Sequence, residues 1–339
     1  MEKRVVVIGA GPAGLETAAS LAKLGISVTL VEREDTTGGH LKQWHALFPA
    51  LLSGNDALEA IRKGWNEKAR IQTGTKVTGV TAVNKRFTVS GHNGWQENAD
   101  AVVFTTGFQL FDARRKEEYG YGIYENVITS ADLEALFASG KELLNRQGKK
   151  PERVGFVHCV GSRDEKAGNL HCSKICCITA VKQAMEVKQL LPQVEVFCFY
   201  MDLRMFGRHY EELYKEAQEK YNIQFIRGRL SESAEDKDGN IVLKVEDTLL
   251  GKPLRIKVGL LVLMSGMEPN PDTKGLTGML GLKSVTDGFI QPADEVLHSN
   301  FTEIPGVFVA GTCSGPKSVA DTLADARAAA LAVAGYLKI

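Results

Sequence analysis

Residues 4–32 read RVVVIGAGPAGLETAASLAKLGISVTLVE. Arg4 to Ile8 has the apolar composition of a short buried strand, and the alanine-rich stretch from about Leu15 to Leu24 reads as a helix that Gly25 ends. Ser27 to Glu32 is a second strand, so the stretch is a βαβ unit with Gly9-Ala10-Gly11-Pro12-Ala13-Gly14 at its first turn. Glycines belong there because side chains would keep a pyrophosphate away from the backbone. The helix that follows offers free N–H groups and the positive end of its dipole. Glu32 stands eighteen residues after Gly14, where a carboxylate accepts hydrogen bonds from both ribose hydroxyls of an adenosine and disfavours a 2′-phosphate. Arg33 beside it joins the cofactor-binding candidates.

The fingerprint alone does not separate FAD from NAD; its position and its sequel do. Gly38-Gly39-His40 is a second glycine turn able to pass close to a pyrophosphate or ribityl chain. Asp100 to Gly107 (DAVVFTTG) is a buried strand ending in Thr105-Thr106-Gly107, and Pro305 to Gly311 (PGVFVAG) leads through Thr312 to a helix from about Ser318 to Leu337. This set resembles the flavoproteins with two dinucleotide-binding domains, the thioredoxin reductase and glutathione reductase class. The resemblance implies an α/β fold of two Rossmann-like three-layer domains, with the first glycine loop on the ADP half of FAD and the C-terminal strand and helix near the isoalloxazine and ribityl. That family commonly has Gly-Asp where this chain has Gly311-Thr312, so the threonine hydroxyl takes the place of a carboxylate. Val77 to Val80 and Arg86 to Ser90 read as strands of a small meander, which in the family lies over the adenine. Lys317 is a candidate for the N1–C2=O edge of the flavin, and His40 for its ring; a solvated loop lysine and a solvent-facing turn histidine are the plain alternatives.

A second α/β unit begins at Arg153, with strands Val154 to Cys159 and Val194 to Tyr200 around a helix from Ser173 to Leu191. Glu211 to Tyr221 reads as helix, Gln224 to Arg227 and Ile241 to Val245 as strands, with a hairpin turn at Asp236 to Asn240. Ser130 to Gln147 reads as a helix capped by Ser130 with Glu134 in its first turn. The expected domains are 1–125 plus 266–339 for FAD, 126–149 as crossover, and 150–265 for the second Rossmann-like domain.

Where that second domain would carry its own glycine loop, the chain has CVGSRDEKAGNLHCSKICC, residues 159–177, with only Gly161 of the glycine set. Four of the six cysteines, Cys159, Cys172, Cys176 and Cys177, fall within these nineteen residues in the pattern C-x12-C-x3-C-C. Nicotinamide binding there lacks its steric requirement. The thiols have several fates open: an iron–sulfur cluster, which tolerates irregular spacing; zinc, which prefers paired knuckles; and core packing or a dithiol. A helix start at Cys176 and Cys177 would stabilise thiolates. Cys198 and Cys313 read as packing residues.

CVGSRD, CSKICC, FYMDLRMFGRHYEELY, IRGRLSE and, near the C-terminus, GPKSVADTL are similar to the A subunit of heterodisulfide reductase and its relatives. The resemblance covers essentially the whole chain. It implies a [4Fe–4S] cluster on Cys159, Cys172, Cys176 and Cys177 beside FAD, an electron-transfer role, partners like the B and C subunits, and a homodimer within a larger complex. Methanogen-type forms carry further cysteine-rich ferredoxin segments, so this sequence resembles the short form of sulfur-oxidising heterodisulfide-reductase-like complexes. The A subunit of the quinone-interacting membrane-bound oxidoreductase complex of sulfate reducers is the alternative, and a stand-alone NAD(P)H-dependent flavin or disulfide reductase is another. Arg204, Arg208, His209, Arg227 and Arg229 read as a docking or cluster-tuning surface, or as solvated charges.

The 339 residues suffice for two cores, and 41 basic against 41 acidic side chains leave no excess to attract nucleic acid or an anionic membrane surface. MEKRVVVIGAG enters a strand at once, with no signal peptide expected, and no apolar run is long enough to span a bilayer. A cytoplasmic protein is expected, in which clustered cysteines serve metals or redox chemistry more often than disulfides.

Overall fold

Arg4–Ile8 lies between Ser27–Val31 and Ala101–Phe104 and runs parallel to both, with Val5 opposite Val28 and Val6 opposite Val102. Inside this parallel sheet the strand is covered on one face by a helix and on the other by a meander, which is why Val5, Val6 and Val7 are all apolar and buried. The computed structural model describes residues 2–283 and 286–339. It divides into two units. The first takes the chain up to Lys42, Gly54–Gln109 and Glu268–Ile339; the second takes Gln43–Ser53 and Leu110–Met267.

In the first unit a parallel sheet runs in the order Val307–Val309, Ala101–Phe104, Arg4–Ile8, Ser27–Val31, Ala69–Gln72. Val6, Ile8, Val102 and Phe104 meet Phe87 and Val89 of an antiparallel meander, Val77–Val83, Arg86–Gly91 and Gln96–Ala99. The alternate residues face the helices Pro12–Lys23 and Val319–Leu337. The first helix starts before the expected Leu15 because Pro12 suits a first helical turn, where no N–H is needed.

The second unit repeats the plan. Its parallel sheet runs Gln224–Arg227, Glu195–Tyr200, Arg153–Val160, Leu260–Ser265, Val127–Thr129. Val154 and Phe156 face the helix Cys176–Leu190, through Ala180, Ala184 and Val187. Val157 faces a second meander, Leu230–Glu235, Ile241–Asp247 and Lys252–Val258, through Leu243 and Val258.

Several expectations are corrected. The segment expected as crossover is part of the second sheet, since Val127–Thr129 pairs with Leu260–Ser265. The unit boundary therefore falls at Gln109, not at 125, and Gln43–Ser53 also belongs to the second unit. The helix expected to reach Gln147 ends at Ala138, because Ser139 is followed by Gly140 at φ 64°. Its cap is Thr129, whose hydroxyl accepts from Asp132 N–H in a capping box, rather than Ser130. The helix expected from Ser173 begins at Cys176.

Glu134 is turned inward to a buried ionic cluster. Lys182 is 2% exposed; its ammonium donates to the Ala46 carbonyl at 3.0 Å and to the Glu134 carboxylate, and lies 3.1 Å from Glu186 Oε2. Glu134 also accepts from Gln183 Nε2 at 2.7 Å and from His45 N–H at 2.9 Å. One buried cation faces two carboxylates, so the cluster keeps a proton: burial pushes Glu186 from its ordinary 4.5 up to about 7. A carboxyl raised on folding favours the folded state below its unfolded pKa, and that contribution is lost as pH rises through the folded one. Between about pH 4.5 and about pH 7 this costs roughly 3 kcal/mol. Glu186→Gln is expected to flatten that decline in denaturation profiles, and parallel profiles for variant and parent would contradict it.

Candidate functional site

The first unit gathers the expected dinucleotide residues. Gly9 (φ 105°) packs on the next strand end: a Cβ there would lie 2.5 Å from the Thr105 carbonyl oxygen. One on Gly14 would lie 1.9 Å from the Gly9 carbonyl oxygen, and Thr105 Oγ1 donates to that same carbonyl at 2.8 Å. Gly11 differs, since no protein atom lies within 4 Å of a Cβ built on it. Gly11 is also the N-cap of the Pro12–Lys23 helix, with no side chain capping the free N–H groups. That open cradle is what a pyrophosphate requires.

The second glycine turn folds onto the first. Gly38 N–H donates to the Ala10 carbonyl at 2.7 Å, and a Cβ on Gly39 would lie 3.2 Å from Gly11 Cα. Glu32 Oε2 accepts from Ala10 N–H at 2.7 Å and Oε1 from Glu34 N–H at 3.0 Å, which fixes the carboxylate at the edge of the cradle. Arg33 pairs with Asp272 at 2.7 Å. His40 Nε2 lies 3.1 Å from the Phe108 carbonyl oxygen with the ring against Phe108 at 4.6 Å, and burial lowers its pKa.

Thr106 Oγ1 meets Thr273 Oγ1 at 2.7 Å. A Cβ on Gly107 would lie 3.9 Å from Thr312 Oγ1, and one on Gly311 would lie 2.6 Å from Ala13 Cβ. The C-terminal turn thus reaches the start of the first helix. Ser318 caps the last helix with Asp321. Val77, at the start of the meander, is buried in the core. Lys317 is tied to its own turn, donating to the Gly311 carbonyl at 3.0 Å and Ser314 Oγ at 2.8 Å, with Asp325 at 3.5 Å. Asp325, which sequence reasoning missed, also accepts from Gly311 N–H at 2.7 Å and so orders the turn that carries Thr312. Cys313 is core, its Sγ donating to the Phe104 carbonyl at 3.2 Å.

The second unit assembles the cysteines at the end of its strand Arg153–Val160. The ladder shifts between Val157 and Val160, and Cys159 takes φ 58°, a left-handed conformation rare outside glycine. The bulge re-aims the thiol so that Cys159 Sγ lies 3.8 Å from Cys176 Sγ. Cys176 and Cys177 open the Cys176–Leu190 helix, whose N-cap Ile175 offers no side-chain cap. Lys174 N–H donates to Cys172 Sγ at 3.3 Å, and Cys177 Sγ to the Asp202 carbonyl at 3.6 Å.

Hydrogen bonding with the Cys176 thiol holds both Cys159 and Cys177 below the usual thiol range, while Cys176 itself is pushed up by its two neighbours. The loop is braced by its own polar groups. Ser162 and Ser173 share a hydrogen bond, Asn169 Nδ2 donates to the Gly161 carbonyl at 3.0 Å, and Met267 N–H donates to Ser173 Oγ at 2.8 Å.

Two buried polar groups face this set. Arg163 bonds Asp202 at 2.7 Å and acts electrostatically on Cys159 and Cys172, yet its Nη1 is buried with no hydrogen-bond partner among the described residues. Neither ring nitrogen of His158 reaches hydrogen-bond geometry with the described residues, although the ring stands close enough to Cys177 to help hold its thiol down. No sequence signal marked either role. Among the described residues no three His, Cys, Asp or Glu side chains converge on a point where one metal ion would sit. Gly161 (φ 72°) is not a nucleotide glycine: a Cβ there would lie 2.1 Å from the Phe111 ring, so protein fills the space.

The family profile described as pyridine nucleotide-disulphide oxidoreductase matches residues 1–140 and 176–330. The chain belongs to that family. It is therefore an oxidoreductase, and the family supports a flavin as cofactor. The match omits 141–175, the stretch holding Cys159 and Cys172. Among curated relatives, the iron-sulfur A subunit of the CoB–CoM heterodisulfide reductase of Methanocaldococcus jannaschii is 45% identical over 238 residues, 68% of this chain and 36% of its own. The A subunit of the H2/formate:CoB–CoM heterodisulfide,ferredoxin reductase of Methanococcus maripaludis is 43% identical over 239 residues, 69% of this chain and 36% of its own. The resemblance to heterodisulfide reductase A subunits is thus borne out over about two thirds of the chain rather than essentially all of it, and the matched region is about a third of those relatives' length. Lactococcus lactis thioredoxin reductase superposes with a TM-score of 0.68 at 18% identity, covering 100% of both chains, which shows the expected two-domain fold. Among the described residues no helix is long and apolar enough to cross a membrane.

Proposed function

We propose that this oxidoreductase is an electron-transfer component that carries FAD on the first unit and a [4Fe–4S] cluster on Cys159, Cys172, Cys176 and Cys177. The observation that carries the reading is the exchange at the end of the Arg153–Val160 strand. Four thiols stand where a second glycine loop is expected, and Phe111 closes on the remaining glycine. The FAD exchanges two electrons and the cluster one at a time.

The chain's own residues hold and tune these groups. Gly11 and the free N–H groups of the first helix would receive the pyrophosphate, Glu32 would accept from the ribose, and Thr312 would offer its hydroxyl to the ribityl chain. The His158 ring and Arg163 Nη1 supply donors for sulfur, and their lack of hydrogen-bond partners among the described residues fits that task. A cubane binds each thiolate to a different iron, so its ligands need not converge on one point. Zinc, the second reading, is less well supported: the 3.8 Å between Cys159 and Cys176 Sγ would suit one edge of its tetrahedron, but among the described residues no third ligand converges with them.

Likeness to relatives named as the A subunit of heterodisulfide reductases supports a place in a heterodisulfide-reductase-like complex. Partners like the B and C subunits, a homodimer in the cytoplasm and a role in sulfur oxidation are our own reading, carried by the resemblance of the motifs to the short form. The A subunit of a quinone-interacting complex of sulfate reducers is the alternative assignment. A stand-alone NAD(P)H-dependent flavin or disulfide reductase is the rival in mechanism. Mixing the flavin-loaded protein anaerobically with NADH and NADPH separates them. The flavin absorbance is expected to persist on the seconds scale and to bleach with dithionite; rapid bleaching by either nucleotide would establish the rival.

A further inference from the structure

Cys159 stands at the end of a strand, and Cys176 and Cys177 open a helix, so regular backbone holds three of the four thiols. Cys172 has no such support. From Gly161 to Ile175 the chain forms no helix, and its strand-like pairing is confined to the isolated bridge between Asp164 and Asn169. A thiol on a loop keeps its place only when hydrogen bonds fix the backbone on either side of it.

The two residues that flank Cys172 converge on one point of the fold. His171 Nε2 lies 2.8 Å from the Met267 carbonyl oxygen, and Met267 N–H donates to Ser173 Oγ at 2.8 Å. A carbonyl only accepts, so His171 carries a proton on Nε2 and donates it. The preceding residue, Gly266, is held through its backbone: its N–H donates to the Val160 carbonyl at 2.8 Å, and its carbonyl accepts from Phe111 N–H at 2.9 Å. All four backbone polar groups of Gly266 and Met267 are thus used, two of them by the side chains that bracket Cys172. The fit is close, since a Cβ on Gly266 would lie 2.2 Å from Ser162 Oγ and 3.0 Å from Ser173 Oγ.

Met267 is the last residue of the second unit before the chain returns to the first at Glu268. The strand that leads to it, Leu260–Ser265, pairs with Arg153–Val160, the strand that carries Cys159, and sets Ser265 opposite Val160. One sheet therefore positions Cys159 directly and Cys172 by way of Met267.

We infer that His171 and Ser173 are positioning residues that pin Cys172 to the backbone of Met267, so that the loop thiol shares a frame with Cys159. The functional meaning of this clamp rests on the proposed reading of the four thiols as one site; the clamp itself involves the chain alone.

The test is alkylation of the full-length protein with iodoacetamide, anaerobically and after removal of metal by a chelator, followed at each cysteine by peptide mass spectrometry. Deleting a hydrogen bond raises the population of the opened loop by the factor that the bond was worth. Ser173→Ala and His171→Leu are each expected to speed labelling of Cys172 about three- to tenfold. His171→Gln keeps a donor at nearly the same reach and is expected to stay within about twofold of wild type. Cys198 and Cys313, both buried, are the controls and are expected not to change. In protein purified with its metal, the electron paramagnetic resonance spectrum of the dithionite-reduced sample is expected to change in Ser173→Ala and His171→Leu and to return to the wild-type form in His171→Gln, which a purely stabilising role would not produce. Unchanged labelling of Cys172 in both Ser173→Ala and His171→Leu overturns the clamp. So does an equal rise at Cys198 and Cys313, which would assign the two side chains to overall stability, or an equal rise in His171→Gln, which would assign the effect to ring packing. Because labelling is read without metal, the two claims fail separately: a protein that proves to hold zinc or no metal loses the iron–sulfur reading, while the clamp stands or falls on the Cys172 rates.

Discussion

Lys182→Met is expected to destabilise the second unit by about 3–5 kcal/mol, because it leaves Glu134 and Glu186 buried without their cation. Methionine keeps nearly the same length, so cavity formation contributes little, and the loss is electrostatic. The Ala46 carbonyl also loses its donor, which frees the segment Gln43–Ser53 from the helix Cys176–Leu190. Denaturation followed by far-ultraviolet circular dichroism measures the effect. Adding Glu134→Gln and Glu186→Gln should recover most of the stability, since a buried neutral cluster carries no unpaired charge. A loss below about 1 kcal/mol in Lys182→Met would mean that water reaches the cluster and screens it.

The second large effect separates two glycines of one loop. Gly14→Val places side-chain carbon against the Gly9 carbonyl and Thr105 Oγ1, and is expected to cost about 3 kcal/mol or more and to abolish flavin retention. Gly11→Ala meets no protein atom and sits at φ −73°, a conformation open to any residue. It is expected to leave the melting temperature of the flavin-free protein unchanged while weakening FAD about 10- to 100-fold, because only a bound pyrophosphate occupies that space. Flavin affinity unchanged by Gly11→Ala would remove the glycine loop from the cofactor site.

Much of the first unit was legible in the sequence because its signals are local. A strand, a glycine turn and a helix in sequence state their own geometry; that Gly107 would approach Thr312 is a tertiary result. The second unit was read less completely. Leu230–Glu235 alternates poorly because every residue after Leu230 lies at least partly exposed on the meander, and Lys252–Val258 hides its pairing behind a proline and three basic side chains. Residues 43–53 carry no signal of which sheet they serve; Ala46 and His45 bind there through backbone groups that any residue would supply. Lys182 and Glu186 carry no sequence signal of burial, and only tertiary packing shows them buried. The cysteine run is legible as a run, but not that Cys159 would take a left-handed backbone to reach Cys176, nor that His158 and Arg163 would stand beside it.

The central claim is that four thiolates have taken the place of a second dinucleotide loop and hold iron and sulfide. Metal and acid-labile sulfide analysis of anaerobically purified protein, repeated on Cys176→Ser, tests it most directly. The expected result is about four iron and four sulfide per chain, falling in the variant while flavin is retained. One zinc per chain without sulfide, or iron content unchanged in Cys176→Ser, would contradict it.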